Sequence, residues 1–242
     1  MADDKTRVRP RSSLRKGRSD IIEHVARQPS QQRSMDRFEK ILDASENLLQ
    51  TANIEDISFY DIARHAHISP ASINYLFPTM AALRIELSKR YLHKSSEDAI
   101  AAGRNLARRR DLSWQAWLYE VGKHARASFN DHRPMSEACL GPILHRESRR
   151  ANIAENDRLA QAMVNILMEL FILPEIPGLV HKFAFGIEIV DTLWSRSYVL
   201  HGHIDDDAFQ ESMRMQTAYL RMFLPEVLPV NEGSAEAAND SG

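Results

Sequence analysis

A short stretch of small and polar side chains has the residue types that recognise nucleic-acid bases. Asn74 can make two hydrogen bonds to an adenine, and Ser72 can bond a base edge or a phosphate. Pro70 and Ala71 are small enough to meet a thymine methyl group. No arginine lies in residues 69–75, which argues against strong recognition of guanine. The stretch therefore has the chemistry to read a duplex DNA groove, if one element presents these side chains together.

Two predicted short helices position this stretch. Ser58 is a candidate N-cap with Asp61 at the capping-box position, and Ser69 followed by Pro70 repeats the signal for a helix start. The turn at residues 66–68 gives the pair the dimensions of a helix-turn-helix, whose second helix enters the major groove. Such pairs also occur as simple packing in helical bundles, so periodicity alone leaves both interpretations open. The positions predicted to face inward are Ile62, Ala63, Ile68, Ile73 and Phe77.

The residue types in and around the two helices favour DNA binding over simple packing. The dipeptide at 62–63, the run Ile-Ser-Pro-Ala-Ser-Ile-Asn-Tyr at 68–75 and the Phe-Pro pair at 77–78 resemble the DNA-binding head of the TetR family of transcriptional regulators. The spacing to the upstream helix at 41–44 is also similar. The resemblance covers about residues 34–92, and beyond them it extends only to the number and length of helices.

The resemblance implies roles for individual residues. The implied phosphate contacts are Ser58, Ser69, Tyr75 and Thr79. The implied base-facing residues are Pro70, Ala71, Ser72 and Asn74. Three positions depart from the family pattern: His67 replaces a common turn glycine, Met80 replaces a lysine that often contacts phosphate, and Leu76 replaces an aromatic residue. His67 must therefore have either a negative φ or a tolerated positive one.

A basic N-terminal segment offers charge that compensates for the missing lysine. Its cations, with no acid between them, are Lys5, Arg7, Arg9, Arg11, Arg15, Lys16 and Arg18. We expect residues 1–33 to form a flexible arm that, with Arg33 and Arg37, contacts DNA.

The helical periodicity predicts an all-α protein of about nine helices, because no segment alternates like a strand for long. The expected organisation is a three-helix head at 34–80, a larger helical-bundle regulatory domain at 81–226 and a disordered tail at 227–242. Beyond a fourth helix from about Pro78 to Arg104, the helices are predicted at 112–131, 135–144, 146–172, 178–201 and 205–224.

The resemblance implies a two-fold dimer joined by the last two helices. Their apolar stripes are broad enough for burial on more than one side, with the intrachain core as the alternative destination. The candidate interface residues are Phe183, Val190, Trp194, Phe209, Met213 and Leu220.

Aromatic and apolar residues of the body are candidates for the wall of a small-molecule pocket. They are Trp114, Trp117, His124, Met163, Phe171, Phe185 and Glu188. An apolar or aromatic effector suits this set, and its binding is expected to release a repressor from a palindromic operator. The alternative is that these residues form ordinary core.

Other functions receive less support from the sequence. It contains no Gly-rich phosphate loop, no nucleophile elbow and no His-Glu zinc helix, and its single cysteine, Cys139, offers no thiol pair, so we expect neither catalysis nor a cofactor. His201, His203 and Asp205, and separately His65 and His67, have metal-ligand spacing but are more simply solvated. No apolar run is long enough to span a membrane, so a cytoplasmic protein is expected. A helical adaptor using the charged helix at 146–172 is the nonenzymatic alternative.

Overall fold

The computed structural model describes residues 25–106, 113–141 and 146–231, and this part of the chain contains nine α-helices and one isolated β-bridge. The predicted all-α class and helix number are therefore confirmed. The helices are α1 (Gln32–Leu49), α2 (Phe59–Ala66), α3 (Pro70–Leu76), α4 (Met80–Leu106), α5 (Trp114–Asp131), α6 (Arg133–Cys139), α7 (Arg146–Leu170), α8 (Leu179–His201) and α9 (Asp206–Arg221).

Helices α1 to α3 form the head around one apolar centre. The three- and four-residue spacing of Phe38, Ile41 and Leu42 places all three on the inner face of α1, where they are buried. Phe77, which follows α3, is fully buried and stacks on Phe38 with ring centroids 4.7 Å apart. This stacking fixes the end of α3 against α1.

Helix α4 runs from the head into the body without a break over 27 residues. It packs against α1 in the head and against α5, α6 and α7 in the body. Arg90 links α4 to α1, since its Nη1 donates to Asp43 at 2.9 Å and its Nη2 contacts Glu39. The head is thus held to the body by a continuous helix as well as by packing.

Helices α5, α7, α8 and α9 surround a second apolar core. Trp114 and Trp117 of α5 are both buried, and each indole finds a backbone acceptor. The Nε1 of Trp117 donates to the carbonyl of Gly103 at 3.0 Å, and that of Trp114 donates to the carbonyl of Pro225 at 2.9 Å. Each bond satisfies the polar atom of an otherwise apolar ring.

Helix α6 is displaced from its predicted limits of 135–144. It begins at Arg133 because the His132 side chain accepts from the amide of Met135 at 3.2 Å and Pro134 suits the first turn. It ends at Cys139, and residues 142–145 lie outside the described part. The remaining helix limits differ from the predicted ones by up to three residues at each end.

Both terminal segments extend further into the fold than composition indicates. Residues predicted to start the tail pack onto the end of α7: Leu228 is buried, and the amide of Ile172 donates to the carbonyl of Pro229 at 2.8 Å. Ala26, predicted to lie in the arm, is also buried. Residues 1–24 and 232–242, which contain the rest of the arm and tail, lie outside the described residues. Among the described helices, none is both long and apolar enough to cross a membrane.

Candidate nucleic-acid interface

The start of α2 is fixed by a complete capping box. The Oγ of Ser58 accepts from the amide of Asp61 at 3.3 Å, while the Asp61 carboxylate accepts from the amide of Ser58 at 3.2 Å. The Ser58 hydroxyl also donates to this carboxylate, and these bonds lower the pKa of Asp61. Ser58 is thus held on the surface at the N-terminus of α2, where orphan amides favour an anion.

The turn between α2 and α3 has a left-handed residue. His67 has φ of 53° and ψ of 45°, so of the two conformations expected for it the positive φ is present. The amide of Ile68 donates to the carbonyl of Ala63 at 3.0 Å, and that of His67 donates to Arg64 at 3.4 Å. These two bonds close a Schellman motif, which ends α2 and turns the chain into α3.

Helix α3 presents a polar face to solvent. Ser69 caps it by accepting from the amide of Ser72 at 3.3 Å, and the two serine Oγ atoms lie 2.9 Å apart. Ile73 is fully buried beneath the helix. The residues on the opposite face, Pro70, Ala71, Asn74 and Tyr75, are exposed, and Ser72 is half-buried. The structure therefore brings together the residues predicted to face bases on one accessible surface.

The other predicted contact residues surround this face less closely. Thr79 is half-buried, and its Oγ1 accepts from the amide of Ala82 at 3.1 Å at the start of α4. Arg33 and Arg37 are exposed on the first half of α1. Met80, at the position of the missing lysine, is half-buried against the head core.

Two further exposed residues of the head were missed from the sequence, and one of them contacts α3. The guanidinium of Arg27 lies 4.9 Å from the ring centroid of Tyr75, and its amide donates to the carbonyl of Leu76 at 2.8 Å. Tyr60 is exposed on α2, opposite the buried face that carries Ile62. The helical period of α2 could have identified Tyr60. No local pattern marks Arg27, whose position depends on the tertiary contact with α3.

A cavity lies in the body between α4, α5, α7, α8 and α9. Its volume is about 80 Å³ and it opens to solvent, which gives space for several water molecules or a small ligand. Its wall is mainly apolar and includes Phe129, Met163 and Trp194. The polar lining residues are Ser95, Ser96, Asn156, Asp191 and Gln216.

Most residues predicted for the pocket lie elsewhere. Met163 lines the cavity, but the other aromatic candidates, Trp114, Trp117 and Phe171, are buried in the second core outside the lining set. His124 and Phe185 are exposed, and Glu188 pairs with Arg149 beside the cavity. The structure therefore does not gather the predicted set around one ligand site.

The predicted dimer residues are all within the core of the single chain. This holds for Phe183, Val190, Trp194, Phe209, Met213 and Leu220, each buried by neighbouring helices of its own chain. These residues form the apolar faces by which α8 packs against α7 and α9, and α9 packs against α5. Different apolar side chains of α8 and α9 face outward, namely Phe185, Val199, Leu200 and Met215, followed by Met222 beyond α9.

A buried carboxylate joins the head to the body. Glu137 of α6 accepts from the amide of Ile54 in the α1–α2 loop at 2.9 Å and from the hydroxyl of Tyr198 on α8 at 2.7 Å. Arg133 donates to the carbonyl of Ala52 at 2.6 Å and lies 3.5 Å from Glu137. Tyr198 is one helical turn beyond Trp194, which lines the cavity. A single polar cluster thus connects a cavity helix with the loop that precedes α2.

The alternative metal and adaptor sites have simpler structural roles. The Asp205 carboxylate caps α9 by accepting from the amide of Ala208 at 2.7 Å, and within the described ranges no group of three or more potential ligands could hold a metal ion. On α7, Arg149 pairs with Glu188 of α8 and Glu155 with Arg158. The charged face proposed for an adaptor is thus partly occupied by contacts within the chain.

Comparison with known proteins finds a similarity to bacterial regulators. Residues 41–87 match the family model described as bacterial regulatory proteins, tetR family. No curated protein matches the chain. Among solved structures, a TetR-family transcriptional regulator from Streptomyces coelicolor has a TM-score of 0.56 at 21% identity, over 78% of this chain and 98% of that one.

Two further solved structures have the same fold. SmeT, the repressor of the Stenotrophomonas maltophilia multidrug efflux pump SmeDEF, has a TM-score of 0.54 at 14% identity, over 78% of this chain and 91% of its own. Thermus thermophilus FadR, a repressor in complex with lauroyl-CoA, has a TM-score of 0.55 at 15% identity, over 75% and 93%. The head thus matches the model of the tetR family of bacterial regulatory proteins, and the chain shares the fold of these solved regulators.

Proposed function

We propose that this chain is a sequence-specific DNA-binding repressor that works as a dimer and leaves its operator when a small molecule enters the body cavity. The observation that carries the proposal is the exposed polar face of α3, which is capped by Ser69 and held on a buried apolar base. On this face Pro70, Ala71, Ser72 and Asn74 contact bases. Ser58, Ser69, Tyr75 and Thr79 contact phosphates and set the register on the duplex.

The N-terminal arm adds contacts to the DNA backbone. The contacts of Arg27 with Tyr75 and Leu76 support this, because they hold the residues that follow the arm beside α3, the helix proposed to read DNA. Together with Arg33 and Arg37, the arm supplies positive charge for phosphate contacts in place of the lysine that Met80 replaces. Removal of residues 1–24 is expected to lower operator affinity and to reduce the slope of log affinity against log salt. An unchanged affinity and slope would exclude the arm from the complex.

Dimerisation is supported by the outward apolar side chains of α8 and α9. A two-fold dimer built on this face presents two α3 helices to successive major grooves, roughly 34–36 Å apart or further on a longer site. The operator is then a near-palindrome. Sedimentation of the purified protein measures its mass, and a monomer at micromolar concentration would contradict the dimer.

The effector site is the cavity between α4, α5, α7, α8 and α9. Its mainly apolar wall with a few polar groups supports this assignment, and so does the continuity of α4 from the cavity to the head. FadR, of the same fold, binds lauroyl-CoA. A ligand that fits only one arrangement of α4 shifts the population toward that arrangement and so changes the positions of the heads.

Selection of bound duplexes from a random pool tests the DNA-binding function. The purified protein is expected to enrich a palindromic motif, and the variant with Asn74→Ala and Tyr75→Ala is expected to lose it. A matched variant with Gln161→Ala and Met168→Ala, both exposed on α7, keeps the motif. If the wild-type protein enriches no motif, the proposed function is wrong, and a helical adaptor becomes the better description.

A further inference from the structure

The cavity contains one ionisable side chain in an apolar setting. Among the described residues that line it, only Asp191 of α8 carries an ionisable group. The surrounding wall consists of aliphatic and aromatic side chains, with neutral amides and hydroxyls as the other polar groups. A carboxylate in such a place is costly unless a partner stabilises its charge.

The protein itself supplies only part of that stabilisation. Asp191 Oδ2 accepts from the Nδ2 of Asn156 at 2.7 Å, and the same Nδ2 lies 2.9 Å from Glu188 Oε1. The guanidinium of Arg149 contacts Glu188, so it lies nearer to that carboxylate than to Asp191. Two carboxylates therefore share one guanidinium and one amide. The local balance is a net negative charge at the cavity wall.

Burial raises the pKa of Asp191, while the Asn156 hydrogen bond and the charge of Arg149 lower it in part. The raised pKa means that the protein groups around the cavity do not fully stabilise the carboxylate. A cation placed in the cavity would stabilise the charged form directly. An anion would face repulsion from both Asp191 and Glu188.

Aromatic rings complete the environment for a cation. Trp194 and Phe129 both line the cavity, with ring centroids 5.9 Å apart in an edge-to-face arrangement. The indole Nε1 of Trp194 donates to Ser212 at 2.9 Å, which fixes the orientation of the ring. Ring faces attract organic cations through their quadrupole. Trp194 lies three residues after Asp191 on α8, so both contribute to the same wall.

We propose that the cavity binds an organic cation, with its apolar body against Trp194 and Phe129 and its ammonium group on the Asp191 carboxylate. This inference rests on the proposed use of the cavity as an effector site. It selects lipophilic amines over the neutral apolar or aromatic compounds that the sequence suggested. Asp191 becomes the residue that determines ligand charge.

Three matched ligands test the proposal on the full-length protein without DNA. Phenylbutylamine, phenylbutanol and phenylbutyrate share one apolar body and differ in charge, and calorimetry measures the affinity of each. The amine is expected to bind about tenfold or more tightly than the alcohol, and the acid more weakly than both. Equal binding of the three, tightest binding of the acid, or no binding by any of them overturns the proposal.

Two variants assign the preference to one side chain. Asp191→Asn is nearly isosteric and is expected to remove the preference of the amine over the alcohol while alcohol affinity stays unchanged. Asp157→Asn removes an exposed carboxylate of α7 and is expected to keep that preference. If Asp191→Asn retains the preference, Asp191 is not the recognition group. The comparison of ligands on the wild-type protein remains decisive even if a variant fails to fold.

Measurement of DNA binding separates this inference from the proposed function. Amine binding without any operator selection would leave the cavity assignment intact and contradict the regulator. Operator selection without a preference for the amine would support the regulator and contradict the proposed ligand class of the cavity. If both hold, the amine is expected to weaken operator binding by the wild-type protein and not by Asp191→Asn.

Discussion

At the scale of single residues, His67 shows how a motif tolerates an unfavourable backbone conformation. A positive φ brings Cβ close to the following carbonyl, which disfavours every residue except glycine. The Schellman hydrogen bonds of His67 and Ile68 and the burial of Ile73 and Phe77 hold the turn in place despite this cost. The family glycine is thus replaceable here because the neighbouring packing determines the turn.

His67→Gly is expected to stabilise the protein by about 1 kcal/mol, because glycine adopts the left-handed conformation without strain. This corresponds to a rise in Tm of roughly 2–4 °C for a chain of this size. His65→Gly is the matched control: His65 is exposed inside α2, where glycine costs about 1 kcal/mol. Thermal unfolding of both variants measures the difference. A loss of stability in His67→Gly would show that the histidine side chain itself stabilises the turn.

Asp191 leads to a prediction about the dependence of stability on pH. Its native pKa lies above the ordinary value of 3.8, so the wild-type protein folds with an unfavourable, partly buried charge when the pH exceeds that native pKa. Asp191→Asn removes this cost. The variant is expected to have the higher Tm at about pH 8, and the difference should disappear as the pH falls below about 4. A variant less stable than wild type at the higher pH would indicate that Arg149 and Asn156 compensate the charge fully.

At the scale of helices, the start signals were predictable because they are local. Ser58 with Asp61, and Ser69 with Pro70, form caps from residues within one turn, and the structure has both caps. The inner faces of α1 and α2 follow in the same way from the helical period. The start of α6 was predicted two residues too late, because its cap is the ring of His132 and histidine is not among the residue types that usually mark a helix start.

Ser113→Ala removes a cap from α5, a helix that forms part of the cavity wall. The Oγ of Ser113 accepts from the amide of Ala116 at 3.2 Å, and its loss is expected to cost about 1 kcal/mol. Ser128, whose Oγ bonds the carbonyl of His124 within the same helix, provides the control. Ser128→Ala should be close to neutral, because alanine favours the helix. Denaturant unfolding of the two variants compares them, and equal stabilities would mean that Ser113 is not a functional cap.

At the scale of the whole molecule, sequence patterns identified the apolar faces of the helices but not the elements that pack against those faces. Trp194, Phe209 and Met213 lie on amphipathic faces, and such a face does not state whether its neighbour is another helix of the chain or a second subunit. The six residues proposed for an interface are buried by the chain itself. The cavity depends on five helices meeting, so residues such as Asp191 and Gln216 could not be assigned to it from local spacing.

The Glu137 cluster predicts how a body variant affects the head. Tyr198→Phe removes the hydroxyl that donates to Glu137 and is expected to cost about 1 kcal/mol. It should also reduce the effect of ligand on operator binding, because Tyr198 connects the cavity helix to the α1–α2 loop through Glu137. Tyr119→Phe, which removes an exposed bond from Gln210, is the control and should change neither quantity. Operator titrations with and without ligand would contradict the cluster's role if Tyr198→Phe behaved like this control.

Because α4 is one continuous helix, a small tilt at its cavity end becomes a larger displacement at its head end. From Ser96 at the cavity to Met80 beside the head, the helix axis is about 24 Å long at 1.5 Å per residue. A tilt of about 5° about the cavity end therefore moves the other end by roughly 2 Å, and the proposed two-fold dimer would double that figure to about 4 Å. This is more than the length of a hydrogen bond. In the proposed dimer, a small displacement within a packed bundle would therefore be enough to move the two α3 helices out of register with successive major grooves of DNA.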